Sequence, residues 1–221
     1  MEFENQYVLD VYNKIAKQFD RTRSGYFWAC VRTFIEKIDK NETKKILDLG
    51  CGNGRYVKLF LYPIHIVTCL DNSIELLKIV NEKYPWVQTI QSDVVTTGFN
   101  SDSFDHIISI AVIHHLVTEI RRIDMIKEIY RVLKVNGTCL ITAWATSTPT
   151  DKFTKFNNFK DSEDSEDYLV PWAHKFVRFY HLFKFNELEN LIEKAGLEKK
   201  LFIQEKIYEF DNHAVILQKI I

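Results

Sequence analysis

Between residues 44 and 145 short apolar runs alternate with amphipathic stretches, and this alternation limits the possible folds more than any other feature of the chain. "KKILDLGCGNGRY" reads as a strand running into a glycine-rich turn and then a helix. "HIVTCLDNS" and "VQTIQSD" are strands that each end in an acid, "FDHIISIAVIHHL" is a fourth strand and "TCLITAWA" a fifth. Between them lie the helical patterns "ELLKIVNEKY" and "EIRRIDMIKEIYRVLKVNG", the second closing on Asn136-Gly137, a favourable helix C-terminus. Strands alternating with helices pair in parallel and are covered on both faces, so the expected class is α/β with a doubly wound, mostly parallel sheet.

The flanks extend this core. Apolar groups at Val8, Val11, Tyr12, Ile15 and Phe19 have helical spacing, as does the stretch 26–38, so two helices open the chain. Residues 146–167 are polar and low in aliphatic side chains, which predicts a flexible insert. "FYHLFKFNELENLIEKAGL" reads as a helix ended by Gly196, and "KKLFIQEKIYEFDNHAVILQKII" as a closing antiparallel hairpin. The 221 residues then form one domain: N-terminal helices (1–40), a core (44–145), the insert (146–167) and a C-terminal helix and hairpin (168–221).

At 46% hydrophobic residues and a net charge of −1, the composition is that of a globular protein. No run approaches the roughly 20 apolar residues of a membrane span. The opening segment has neither a signal-peptide core nor an organellar bias, which leads to an expected cytosolic or nuclear location. Cys30, Cys51, Cys69 and Cys139 form no C-x-x-C pair, so neither a zinc knuckle nor a redox motif is expected.

The turn "DLGCGNG" lacks the third glycine of a dinucleotide fingerprint and the G-K-[ST] ending of a phosphate loop. Alone it is as readily a tight strand-to-helix connection as a ligand cradle. Three successive strand ends decide between these readings: Asp48, Asp71 and Asp93 converge on the carboxyl edge of the sheet, where ligands of such folds bind. Each acid singly also suits a helix N-cap. Together, without a lysine, they repel pyrophosphate and favour a ligand with ribose hydroxyls and cationic groups.

"ILDLGCGNGRY", "LDNS" and "QSDV" resemble the successive motifs of class I S-adenosylmethionine-dependent methyltransferases. The resemblance implies a Rossmann-like fold, with Gly50, Gly52 and Gly54 against the methionine part and Asp48 near its amino group. It further implies Asp71, beside Asn72, on the ribose, and Asp93, Val94 and Ile110 around the adenine.

The wider set "YVLDVYNKIAKQFDRTR", "ISIAVIHHL" followed by "RR", "ITAWA", "YLVPW", "FYHLFKFNELENLIEKAG" and "YEFDN" is similar to the eukaryotic tRNA methyltransferases that esterify 5-carboxymethyluridine at the wobble position. That family implies tRNA as substrate and a small zinc-binding activator as partner, expected at the open sheet edge near residues 86–91. A carboxylate with a pKa near 4 is already about a thousandfold ionised at pH 7, so its methylation needs alignment and a cationic hold rather than a base. Arg23, after the first helix, is the expected holder of a carboxylate or phosphate. His115 is expected to face substrate, because adjacent strand residues point to opposite faces and only one of His114 and His115 can do so. Arg121, Arg122, Lys175, Arg178 and His181, with Trp172 and Tyr180 for stacking, are candidate tRNA contacts, although an ordinary amphipathic helix would use the same residues. No metal site is expected. The rival readings are a small-molecule methyltransferase and a silent scaffold that binds without turnover.

Overall fold

Alternate residues of the first strand are buried on opposite sides: Leu47 and Leu49 join one apolar layer and Ile46 the other. A strand covered on both faces belongs in the middle of a sheet. The computed structural model describes residues 2–23, 25, 27–60, 64–156, 166–173, 175–209 and 211–221. Its strands are β1 (Lys45–Leu49), β2 (Ile66–Asp71), β3 (Gln88–Gln91), β4 (Phe104–Ile110), β5 (Leu133–Trp144), β6 (Thr154–Lys155), β7 (Asp167–Trp172), β8 (Phe176–His181), β9 (Leu201–Glu209) and β10 (Asn212–Lys219). Its α-helices are α1 (Glu2–Glu4), α2 (Asp10–Thr22), α3 (Ala29–Glu36), α4 (Ile74–Lys83), α5 (Glu119–Val132) and α6 (Glu187–Lys194), with π-helical Asn5–Leu9 joining the first two.

The main sheet runs β3-β2-β1-β4-β5-β10-β9, with β1 to β5 parallel and the last two antiparallel. This is the doubly wound Rossmann-like sheet with a C-terminal hairpin that the sequence predicts. Helices α5 and α6 cover one face through Met125, Ile126, Ile129, Leu188 and Leu191. On the other face lie α3 and α4, through Val31, Phe34, Leu77 and Val80. Among the described residues no helix is long and apolar enough to cross a membrane, and all four cysteines are free and buried.

Four local expectations are corrected. The glycine turn leads into a 3-10 helix, Val57–Phe60, rather than an α-helix. Helix α5 stops at Val132, and Asn136-Gly137 lies within β5. Asn136 takes a left-handed φ of 67°, and a side chain on Gly137 would meet the Asp105 and Lys134 carbonyl oxygens at 2.8 Å, so the pair makes an irregularity in the β4–β5 ladder. The stretch "FVRFYH" is strand β8, paired with β7, and the helix begins only at Glu187. Its aromatic and β-branched residues suit the pleated surface better than a helix. Finally, Thr154–Lys155 pairs with β7, so the expected insert contributes a strand; its residues 157–165 lie outside those described.

The small sheet β6-β7-β8 packs against α2 through Val11, Ile15 and Trp172. Helix α2 and this small sheet thereby close over the carboxyl ends of β1, β2 and β4.

Candidate functional site

A cleft of about 790 Å³ opens at those strand ends. Its floor is set by the glycine turn: the Gly50 and Cys51 amides both donate to the Leu70 carbonyl, at 2.7 and 2.9 Å, and tie the turn to β2. Asp71 then fixes the turn from the side, accepting from the Gly52 amide through Oδ2 and from the Ser73 amide through Oδ1, each at 2.8 Å. Ser73 caps α4 by accepting from the Leu76 amide. The N-cap role is therefore taken by Ser73, which leaves Asp71 to the cleft wall.

Asp48 is 1% exposed, and among the described residues its Oδ2 has no hydrogen-bond partner. Burial, reinforced by the charge of Asp71, pushes its carboxyl up to about 8. A buried carboxylate oxygen facing a cleft without a donor is suited to a ligand's ammonium group. Gly50, Gly52, Asn72, Asp93, Val94 and Ile110 also line the cleft. Gly54 does not; it sits against α4, where an added Cβ would lie 3.1 Å from Val80 Cγ2. The cleft thus brings together most of the expected cofactor residues, and Gly54 serves packing instead.

The histidines depart from expectation. Strand β4 ends at Ile110, Ala111 takes a left-handed φ of 59°, and Ile113–His115 forms a 3-10 turn. Strand alternation therefore does not apply: both rings line the cleft, His114 being 1% and His115 9% exposed. His115 is engaged at both nitrogens, with Nδ1 2.9 Å from the Phe179 carbonyl and Nε2 2.9 Å from the Tyr12 hydroxyl. Burial pushes its pKa down to about 3, and His114 is held well below the usual imidazole range, first by burial and then by His115 and Arg178. With His115 neutral and a carbonyl able only to accept, its proton sits on Nδ1, and Tyr12 donates to Nε2. His115 is thus a positioning group with no free nitrogen to offer.

The arginines divide by partner. Arg121 pairs with Glu4 and with Asp93, at 2.7 Å to each, tying the N-terminal segment to the cleft rim. Arg122 is buried and donates to the Leu116 carbonyl at 2.9 Å. Neither is displayed for RNA, which corrects that expectation. His181 is likewise buried between Asp167 and Glu187, at 2.7 and 2.6 Å. Trp172 is buried, with its Nε1 donating to Gln18 and its ring under Arg23 and Arg178, so it stacks on arginines rather than presenting a face to a base. Lys175 is exposed and lies outside the cleft lining.

Four arginines line the cleft; Arg121 is paired with Glu4 and Asp93, and the other three are Arg23, Arg55 and Arg178. Arg23 is half-buried over Phe19 and Trp172, and Arg55 lies over Phe27 and Tyr56. Arg178 and Tyr180, two apart on β8, face the cleft together as the pleat requires. Tyr12 and Trp144 complete this aromatic half, and sequence reasoning missed both as site residues. Tyr12 had only the signal of an apolar helix position, and Trp144 that of a core strand. Among the described residues no group of three His, Cys, Asp or Glu side chains could hold a metal ion.

Comparison with known proteins agrees with this geometry. Residues 47–141 match the family model described as a methyltransferase domain. The tRNA (carboxymethyluridine(34)-5-O)-methyltransferase of Schizosaccharomyces pombe is 33% identical over 242 aligned residues, covering 99% of each chain. The Arabidopsis thaliana protein of the same name is 41% identical over 144 residues, which are 65% of this chain but only 34% of that longer relative. Among solved structures, an S-adenosylmethionine-dependent methyltransferase from Clostridium acetobutylicum superposes with a TM-score of 0.67 at 16% identity, over 95% of this chain and 99% of that one.

Proposed function

The chain belongs to the tRNA (carboxymethyluridine(34)-5-O)-methyltransferase family, and on that premise we propose that it methylates the carboxylate of 5-carboxymethyluridine at position 34 of tRNA, using S-adenosylmethionine. The observation that carries this reading is a single cleft with two chemistries: an acidic, glycine-floored half beside an arginine- and aromatic-lined half.

The acidic half fits the methyl donor. Asp48 Oδ2 meets the amino group, the glycine turn lets backbone approach the methionine part, and Asp71, with lone pairs left after its two amide bonds, accepts from the ribose hydroxyls. Asp93, Val94 and Ile110 border the adenine. When bound, the donor supplies an electrophilic methyl group on a sulfonium.

The chain's own residues then have little proton chemistry to perform. A carboxylate at neutral pH is already nucleophilic, and neutral His114 and His115 carry no acidic imidazolium proton to give it. The aromatic half excludes water and holds the uracil ring, while Arg23 and Arg55, also in the cleft lining, suit the flanking phosphates.

The partner we propose is the small zinc-binding activator, which makes the working enzyme a heterodimer. Among the described residues strand β3 pairs on one side only, with β2, and beside it Trp86 is 64% exposed against Tyr84. An unpaired edge carrying an exposed tryptophan favours a covering chain. The working location is the cytosol or nucleus, where tRNA is accessible.

The test is methyl transfer from labelled S-adenosylmethionine to tRNA bearing or lacking 5-carboxymethyluridine, with and without the activator. Labelled ester on the modified tRNA alone is the expected result. Transfer to neither tRNA in the activator's presence overturns the assignment, and full activity of the monodisperse isolated chain overturns the partner.

A further inference from the structure

Arg178 is 4% exposed, yet among the described residues no carboxylate pairs with it. Its Nη1 donates to the Tyr12 hydroxyl at 3.3 Å, and its Nε is buried without a partner. The guanidinium carbon lies 4.7 Å from the centre of the Trp172 ring, 5.0 Å from Tyr180 and 5.9 Å from Tyr12. The arginines outside this role look different: Arg121 meets two carboxylates, Arg131 meets Glu128, and Arg122, whose buried Nε is also unpartnered, is held by the Leu116 carbonyl and does not line the cleft. Burying a cation without an anion is costly, and Arg178 lines the cleft rather than the core.

Building on the function proposed above, we infer that Arg178 holds the carboxylate of the incoming wobble uridine and makes the enzyme select a carboxymethyl group over its neutral carbamoylmethyl counterpart. The planar fork of a guanidinium matches a carboxylate, and stacked rings keep that fork in one plane. Arg23 is less suited to this role, being half-exposed over Phe19 and Trp172. Tyr12 orients Arg178, since its hydroxyl accepts from Nη1 while donating to His115.

The reaction adds a consequence. A carboxylate oxygen forms a bond to the methyl carbon as the carbon–sulfur bond breaks, its electron pair stays on sulfur, and no proton moves. The negative charge on the substrate disappears in the ester. A clamp that recognises this charge therefore binds substrate more tightly than product, and its contribution appears mainly in KM.

The experiment uses the complex with its activator, in the presence of S-adenosylhomocysteine. Anticodon stem-loops carrying 5-carboxymethyluridine or 5-carbamoylmethyluridine are titrated against wild type, Arg178→Gln and Arg178→Lys, and steady-state methylation of the carboxymethyl form is measured in parallel. Wild type is expected to bind the carboxymethyl form at least about tenfold more tightly, and Arg178→Gln to bind the two alike, with a KM raised about tenfold or more and a smaller change in kcat. Affinity for S-adenosylhomocysteine should be unchanged. If Arg178→Gln does not fold, Arg178→Lys carries the test: it keeps the charge but not the fork, so preference for the carboxymethyl form persists with a raised KM. An active wild type whose Gln variant keeps the preference overturns this inference alone, as does a Lys variant with unchanged KM. A wild type that methylates no carboxymethyl substrate overturns the function on which the inference rests.

Discussion

The Tyr12 hydroxyl lies 2.9 Å from His115 Nε2 and accepts at the same time from Arg178, so one phenol joins an N-terminal helix to two elements about a hundred or more residues away. Removing it leaves a buried imidazole acceptor unsatisfied, at a cost of about 1–3 kcal/mol. Tyr12→Phe should therefore lower the melting temperature by several degrees, at roughly 2–4 °C per kcal/mol for a chain of this size. It should also raise the KM for substrate tRNA while leaving cofactor affinity near wild type. Thermal unfolding and cofactor titration on one preparation check both statements.

The neutral histidines make stability depend on pH. Burial drives His115 down to about 3 and His106 to about 4, and holds His114 well below its ordinary 6.5. Below pH 6.5 the unfolded chain takes up these protons and the folded chain does not, so the histidine contribution is full above 6.5 and lost as pH falls toward 4. Each fully buried ring contributes a slope of up to about 1.4 kcal/mol per pH unit. His181 opposes them: burial disfavours its charged form, but Asp167 and Glu187 outweigh burial and raise its pKa, so its contribution is present at low pH and lost as pH rises. The raised carboxyls of Asp48 and Asp71 also favour low pH, but five lowered histidines (His65, His106, His114, His115 and His213) outnumber these three groups, and the melting temperature should fall as pH drops from 6.5 toward 4. His115→Gln should flatten the slope while lowering the plateau.

Asp48 couples cofactor binding to a proton. With its carboxyl raised to about 8, the free protein carries it protonated at pH 7, a stabilising state that is complete below 3.8 and lost as pH rises through about 8. An ammonium group arriving at Oδ2 favours the carboxylate and expels that proton. Affinity for S-adenosylmethionine should rise with pH, by at most about tenfold per unit, and level off above about 8. Calorimetry in buffers of different ionisation enthalpy should show proton release at pH 7, and Asp48→Asn should abolish it with a large loss of affinity.

These groups were not equally legible in the sequence. Asp48, Asp71 and Asp93 could be read because each ends a short apolar run, and parallel strands bring such ends to one edge. The histidine pair was placed at the right rim for the wrong reason: the left-handed Ala111 ends the strand, and nothing in "SIAVIHH" marks an alanine for that conformation. Strand β8 was hidden because "FVRFYHLFKFNELENL" runs without a glycine or proline into a true helix, and only pairing with β7 separates the two. The bond between Tyr12 and Arg178 spans 166 residues and leaves no local periodicity. Long-range polar pairing of this kind is set by tertiary packing, which local patterns do not encode.

The glycine turn offers a last discrimination, because two of its glycines are required for different reasons. Gly50 has a φ of 78°, and an added Cβ would lie 2.5 Å from Val112 Cγ2 and 2.9 Å from Cγ1, inside the packed cleft floor. Gly52 has a φ of 56°, but its added Cβ would meet nothing closer than Phe19 Cε1 at 3.7 Å. Gly52→Ala therefore incurs only the left-handed backbone cost of about 1–2 kcal/mol, whereas Gly50→Ala adds overpacking of about 1–3 kcal/mol. Gly52→Ala should remain folded, melt a few degrees lower and bind S-adenosylmethionine weakly, because its methyl group intrudes at the cleft. Gly50→Ala should lose at least twice as much in melting temperature and accumulate poorly. Equal melting temperatures for the two variants would show that Val112 gives way, and that the Gly50 requirement is conformational alone.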